Sequence, residues 1–327
     1  MERVGRYTVM IFVAASVLFS FLTVYFQEQE LGLQYLETGN QIQRHQAVLD
    51  GTAPNAWQFR VLSEFATEGL IRVFKRLNIP HPIAAAFLSF RLFQNLLIFL
   101  IAAVYYRRLG LNDYLVLIGQ GALAWGMTHA LFNSDLQFSN YSEVIFYLAA
   151  ALLLLLGKDI WIIPVVVLAA LNRETSGAIP FMLLAARLQL RPRVHIDKRS
   201  GLIFIASCAI YVIVFAGLRY FYGLDRPVSG PVGLSLLLDH IVDFRAWALM
   251  FATLSVFPFI AVASYRTWHP PFKSLFWAVI PLWFIIIPFT GGLMETRHYL
   301  VPQSLIFIPG ALLGAISLSN RRTERSE

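Results

Sequence analysis

Asn172-Arg173-Glu174-Thr175 interrupts an otherwise greasy stretch, with the apolar run Ile160–Leu171 before it and Ala178–Ala186 after it. Each flank is too short to cross a bilayer comfortably, because a spanning helix takes about 20 apolar residues. Ionisable groups near membrane depth are costly and mark either a site or an internal pair. Arg173 and Glu174 are therefore read as lying at the outer mouth of a membrane-embedded cavity.

Composition sets that stretch in a membrane. Of the 327 residues, 57% are hydrophobic and only 14% charged, and the mean hydropathy is +0.63. A soluble domain carries about a quarter charged residues. The apolar residues come in long runs rather than in the short alternating segments of a barrel. The fold class is thus all-α, a polytopic transmembrane helical bundle. Ten spans are predicted by hydropathy and length: 7–26, 83–106, 114–132, 141–156, 160–171, 176–190, 201–221, 246–264, 274–290 and 301–319. Tyr7–Phe26 is too long for a signal-peptide core and no small-residue cleavage site ends it, so it is taken as the first span.

The net charge of +7 is assigned to loop bias, not to nucleic acid. Lys and Arg favour the loops on the N-terminal side, which predicts that both termini are cytoplasmic. The one cysteine, Cys208, lies inside an apolar run and excludes a disulfide framework. No internal repeat, Gly-rich nucleotide loop or zinc-ligand spacing occurs, so residues 1–327 read as a single transmembrane domain.

Two outer loops interrupt it, 27–81 and 223–245. In the first, Trp57, Val61, Phe65, Val73 and Leu77 recur near helical spacing, while Glu64, Glu68, Arg72 and Arg76 run at i,i+4 on another face. That pattern predicts an interfacial helix over about 57–77, lying along the outer leaflet. The second loop carries Asp239, His240 and Asp243. Only the pairs 239/243 and 240/243 share a helical face, so no metal site is expected there. No cofactor is assigned, and a divalent metal is left open.

Nine polar residues fall at or toward the outer face: Asp50, Arg60, Arg91, Asp135, Arg173, Glu174, Glu295, Arg297 and His298. Arg91 sits about 13 Å down its helix at 1.5 Å per residue, too deep to snorkel, and must face inward. Asp135 serves equally well as a helix cap. Four arginines converging with carboxylates suit phosphate or pyrophosphate, because the planar guanidinium matches several oxygens at once. The carboxylates are then left to hold hydroxyls or act as general base.

Gln58-Phe-Arg-Val-Leu62, Asn172-Arg-Glu-Thr175 and Glu295-Thr-Arg-His-Tyr299 resemble marks of small bacterial polytopic proteins similar to the GT-C superfamily of integral-membrane glycosyltransferases. The resemblance implies inverting transfer of a sugar from a polyprenyl-phosphate carrier to a glycan, lipid or protein acceptor at the outer face. It also implies a catalytic acid in the first outer loop, where Asp50, Glu28 and Glu30 compete; Gly51 beside Asp50 would let the backbone approach a ligand. Arg60, Arg91, Arg173 and Arg297 would then hold the lipid phosphate, with Glu174, Glu295 and His298 orienting them or the sugar. A lipid-linked sugar flippase and a non-catalytic subunit of a glycan-assembly complex are the alternatives.

Overall fold

The computed structural model describes residues 6–130, 136–188, 195–224, 233–290 and 293–326. It is helical throughout these segments. In chain order the helices are α1 (Arg6–Leu31), α2 (Leu33–Thr38), α3 (Asn40–Leu49), α4 (Val61–Arg76), α5 (Pro82–Arg108), α6 (Asp113–His129) and α7 (Phe138–Leu155). There follow α8 (Ile162–Asn172), α9 (Ile179–Arg187), α10 (Lys198–Tyr222), α11 (Leu234–Val242), α12 (Phe244–Leu254), α13 (Phe257–Ala263) and α14 (Pro270–Thr290). A last helical run, Thr296–Leu318, passes through a π-helical turn at Gln303–Phe307.

Among the described residues six helices are long and apolar enough to cross a membrane, and a seventh span arises if α12 and α13 count as one broken helix bent by 67°. The break falls where Ser255 takes a left-handed conformation (φ 53°) and Pro258 enters the first turn of α13. The other three predicted spans are helices of 17, 11 and 9 residues, α6, α8 and α9. At 1.5 Å per residue the last two reach only about half-way across a bilayer core. The chain is therefore a helical bundle with six or seven spanning-length helices.

Polar side chains join the helices, the usual glue where surrounding lipid removes the hydrophobic drive. Asn95 on α5 donates to Thr23 Oγ1 on α1 (2.9 Å), and Gln120 on α6 donates to Ser16 Oγ (2.9 Å). Tyr105 and Tyr106, near the end of α5, donate to the carbonyls of Leu305 and Ser304 in the last helix. At the end of the bundle where α1 begins, Arg107 pairs with Asp113, which also accepts from Thr8 Oγ1 (3.2 Å). At the other end Gln27 of α1 donates to the Tyr141 hydroxyl at the start of α7 (2.7 Å).

The amphipathic stretch of the first loop behaves differently from a helix lying flat. Turn 77–81 folds α4 back along α5, and Ser63 and Gln94, fourteen and thirteen residues from that turn, both reach Ser142 Oγ (3.1 and 2.7 Å). The polar side of α4 faces the bundle, with Ser63, Glu64 and Thr67 buried. Phe65, Val73 and Leu77 point outward and are exposed. The apolar periodicity is real, but of its residues Val61 is buried while Phe65, Val73 and Leu77 are turned to the surroundings.

Candidate functional site

The interruption that opens the sequence is the tip of a helical hairpin. α8 ends at Asn172, Arg173 is extended (φ −164°, ψ 148°), and a 3-10 turn over Glu174–Ala178 leads into α9. Pro180 suits that start, since its missing N–H falls among the unsatisfied donors of a first helical turn. Two tyrosines pin the tip from either side: Tyr147 of α7 donates to Thr175 O (2.6 Å) and Tyr211 of α10 to Glu174 O (2.7 Å). Gly177 lies so close to the Tyr211 ring that a Cβ there would come within 2.8 Å of it. Tyr211 is mid-way along α10, so that helix continues well past the tip.

Charges gather around Arg173, which is 5% exposed. Its Nε lies 3.5 Å from Glu143 Oε2, and Glu143 accepts from Thr175 Oγ1 through its other oxygen. Arg173 Nη2 donates to His298 Nδ1 (3.0 Å). An arginine only donates, so Nδ1 is the acceptor nitrogen and the ring proton sits on Nε2. That N–H donates to Glu295 Oε2 (2.8 Å), which also takes Arg297 Nη2 (2.6 Å). His298 is thus held as a neutral ring between an arginine and a carboxylate, with Asn140 Nδ2 3.1 Å from Nδ1. Trp283 donates to its carbonyl (2.7 Å) and fixes the turn.

A neutral ladder lies alongside. Ser63 donates to Asn172 Oδ1 (2.9 Å), Asn172 donates to Ser139 O (2.7 Å), and Gln94 joins Ser142 to Phe138 O. Arg91 flanks it, 1% exposed, with its guanidinium 3.3 Å from the centroid of the Tyr141 ring. The depth argument placed that arginine correctly on the inner face.

Above the tip, Arg60 reaches Glu174 (Nη2 to Oε2, 3.3 Å) and rests 5.0 Å from the Trp57 ring centroid. Glu174 and Glu295 are each paired with an arginine, Arg60 and Arg297 respectively.

Several polar atoms here lack a hydrogen-bond partner among the described residues: Nε and Nη1 of Arg173, Nε of Arg60 and Oε1 of Glu174. Buried polar groups are almost always matched, so this concentration at one turn is unusual. A small pocket opens beside it, lined by Thr175, Leu282, Trp283, Ile286 and Ile287.

Six of the sequence candidates thus meet: Arg60, Arg173, Glu174, Glu295, Arg297 and His298. Asp50 caps the end of α3 and is exposed, with Gly51 next to it in a left-handed conformation (φ 72°). Glu28 and Glu30 lie on the last turn of α1, where Glu28 accepts only from its neighbour Gln29 (2.8 Å). None of these three makes a hydrogen bond or ion pair with the arginines of the tip. Asp135 lies outside the described residues. Glu143 is not among the sequence candidates; the one available signal is an acid inside the predicted span 141–156.

Among the described residues no group of three or more His, Cys, Asp or Glu is placed to hold a metal ion. Asp243 caps α12 through Arg245 N (2.8 Å), and His240 accepts from Leu293 N (3.1 Å). In comparisons with known proteins, the chain matches no family model, no curated protein and no solved structure.

Proposed function

We propose that the protein is a membrane glycosyltransferase of GT-C-like design, taking sugar from a polyprenyl-phosphate carrier and passing it with inversion to a hydroxyl acceptor. One observation carries this reading: a buried arginine at a half-span hairpin tip, ion-paired through Nε with Glu143, keeps Nη1 without a partner among the described residues, with carboxylates on either side of it. Arg173 and Arg60 then bind phosphate oxygens on the donor, with Arg297 and Arg91 behind them. As the acceptor oxygen bonds to the anomeric carbon, the carbon–oxygen bond to phosphate breaks and the lipid phosphate leaves with the electron pair. Preorganised cations facing that developing charge are the main source of acceleration in such a step.

The acceptor proton needs a base. Glu174 is in place, with Oε1 unmatched; Asp50, Glu28 and Glu30 are the alternatives from the first loop. The apolar pocket beside Thr175 supports a lipid-borne ligand. The face is the one away from the start of α1, taken as the outer side of a bacterial plasma membrane.

The test is thermal shift and product mass with a panel of polyprenyl-phosphate sugars on detergent-purified protein. Stabilisation and a glycosylated product, both lost in Arg173→Ala, are the expected result. Full transfer by a folded Arg173→Ala protein rejects the role of Arg173. A second reading, a lipid-linked sugar flippase, draws support from the broken helix pair α12–α13, a hallmark of transport sites. Movement of the lipid in proteoliposomes without covalent product would favour it.

A further inference from the structure

α3 has ten residues, too few to hold a helix alone, yet it packs over the hairpin tip. Its Val48 shares an apolar cluster with Leu171, the residue before Asn172. Gln58 ties its end by accepting from Ala53 N (2.9 Å) and donating to Val48 O (3.0 Å). Two further polar side chains anchor it: Gln41, whose Oε1 accepts from Leu136 N (2.6 Å), and His45, 1% exposed, with its ring edge against Phe87 of α5.

His45 Nδ1 is 2.7 Å from Glu64 Oε2, and Nε2 is 3.3 Å from Glu68 Oε2, both on α4. A satisfied buried histidine normally finds one donor and one acceptor. Here both neighbours are carboxylates, which only accept when ionised. Both contacts attract only if each ring nitrogen carries a proton. A neutral ring sets its lone pair against a carboxylate oxygen at one of the two.

The charges facing this ring are few. Glu68 also accepts from Arg72 (2.7 Å), so the imidazolium and Arg72 together balance two carboxylates. On the neighbouring elements, Glu37 of α2 is taken up by His81 (3.0 Å), and Arg44 of α3 lies over Trp57. Phe87, the α5 neighbour, is uncharged.

We propose that His45 is a proton-operated latch that holds α3 down on α4 and so keeps the roof closed over the hairpin tip. Protonated, it bridges Glu64 and Glu68. Deprotonated, it loses one of the two contacts, and α3 is released. Glu64 is next to Ser63, whose hydroxyl touches Asn172, so the latch acts one residue from the site. The latch is independent of which ligand the tip takes.

Although burial lowers the His45 pKa, the two carboxylates outweigh it and the value lies above 6.5. The contribution of a raised group is complete below its unfolded value and is lost as pH rises through its folded value. The roof is therefore closed below about pH 6.5 and loosens as pH rises through the folded value.

Hydrogen exchange of the full chain in detergent, corrected for intrinsic rate and followed from about pH 6 to about pH 9, tests this. Protection over residues 40–49 is expected to fall above the folded pKa by up to about tenfold per pH unit, the slope of one linked proton. In His45→Gln that slope is absent and protection is low throughout. Glu68→Gln, altering a residue whose side chain is 20% exposed, moves the loss to lower pH and serves should His45→Gln fail to fold. Protection of α3 that is independent of pH, or a Glu68→Gln profile that coincides with the unaltered protein, overturns the latch. Binding of dodecyl phosphate, measured in parallel, reports the arginines of the tip separately.

Discussion

The two ends of the α8–α9 hairpin each carry an arginine, and the two are treated in opposite ways. At the base, Arg187 is fully engaged: Nε and Nη2 reach both oxygens of Asp159 (2.7 and 2.6 Å), and Nη2 also donates to Leu154 O (2.8 Å). The side chain is still 28% exposed. At the tip, Arg173 is far more buried yet makes a single ordinary hydrogen bond, to a histidine nitrogen. A bidentate pair near water closes a hairpin. A desolvated guanidinium with donors to spare is arranged for something else.

The harshest way to break that contrast is to remove the tip's counter-charge. Glu143→Ala leaves Arg173 buried without its carboxylate and should cost about 3–5 kcal/mol of stability, read from chemical or thermal unfolding. A loss below about 1 kcal/mol would mean that Glu143 does not balance Arg173. Next comes Arg173→Gln, which should weaken dodecyl phosphate binding about 100-fold, or about 2.7 kcal/mol, in isothermal titration, while the fold survives. Arg187→Gln should do the reverse, lowering stability by about 2 kcal/mol, less than a fully buried pair because of its exposure, and leaving binding alone. If the two glutamine variants behave alike, the tip is structural and the contrast falls.

Much of this could be read from the chain alone. Long apolar runs identify α1, α5, α7, α10, α14 and the last helix, because spanning length is a local property of sequence. The hairpin tip and Glu295–His298 stand out since charge is rare there. What sequence hides is direction. Nothing in the spacing of Phe65, Val73 and Leu77 says whether that face meets lipid or protein, and here α4 buries its polar side instead. His45 looks like an ordinary loop histidine until folding sets two glutamates from nineteen and twenty-three residues away against its ring. Asp50 is plausible by position, beside a glycine and ahead of Arg60, but its side chain points to solvent. Lengths mislead too: 160–171 and 176–190 read as spans because hydropathy registers composition and not the turn between them.

A hairpin that stops part-way has an electrical consequence. From Tyr211, level with the tip, α10 runs eleven residues further to Tyr222, about 16 Å of helix against a hydrocarbon core of about 30 Å. An anion that reaches Arg173 from that end has crossed roughly half of the transmembrane field. At 100 mV that is worth about 1 kcal/mol per charge, or about fivefold in occupancy. In sealed proteoliposomes, dodecyl phosphate binding should shift by that factor under an imposed potassium diffusion potential. Its sign reports which compartment feeds the tip.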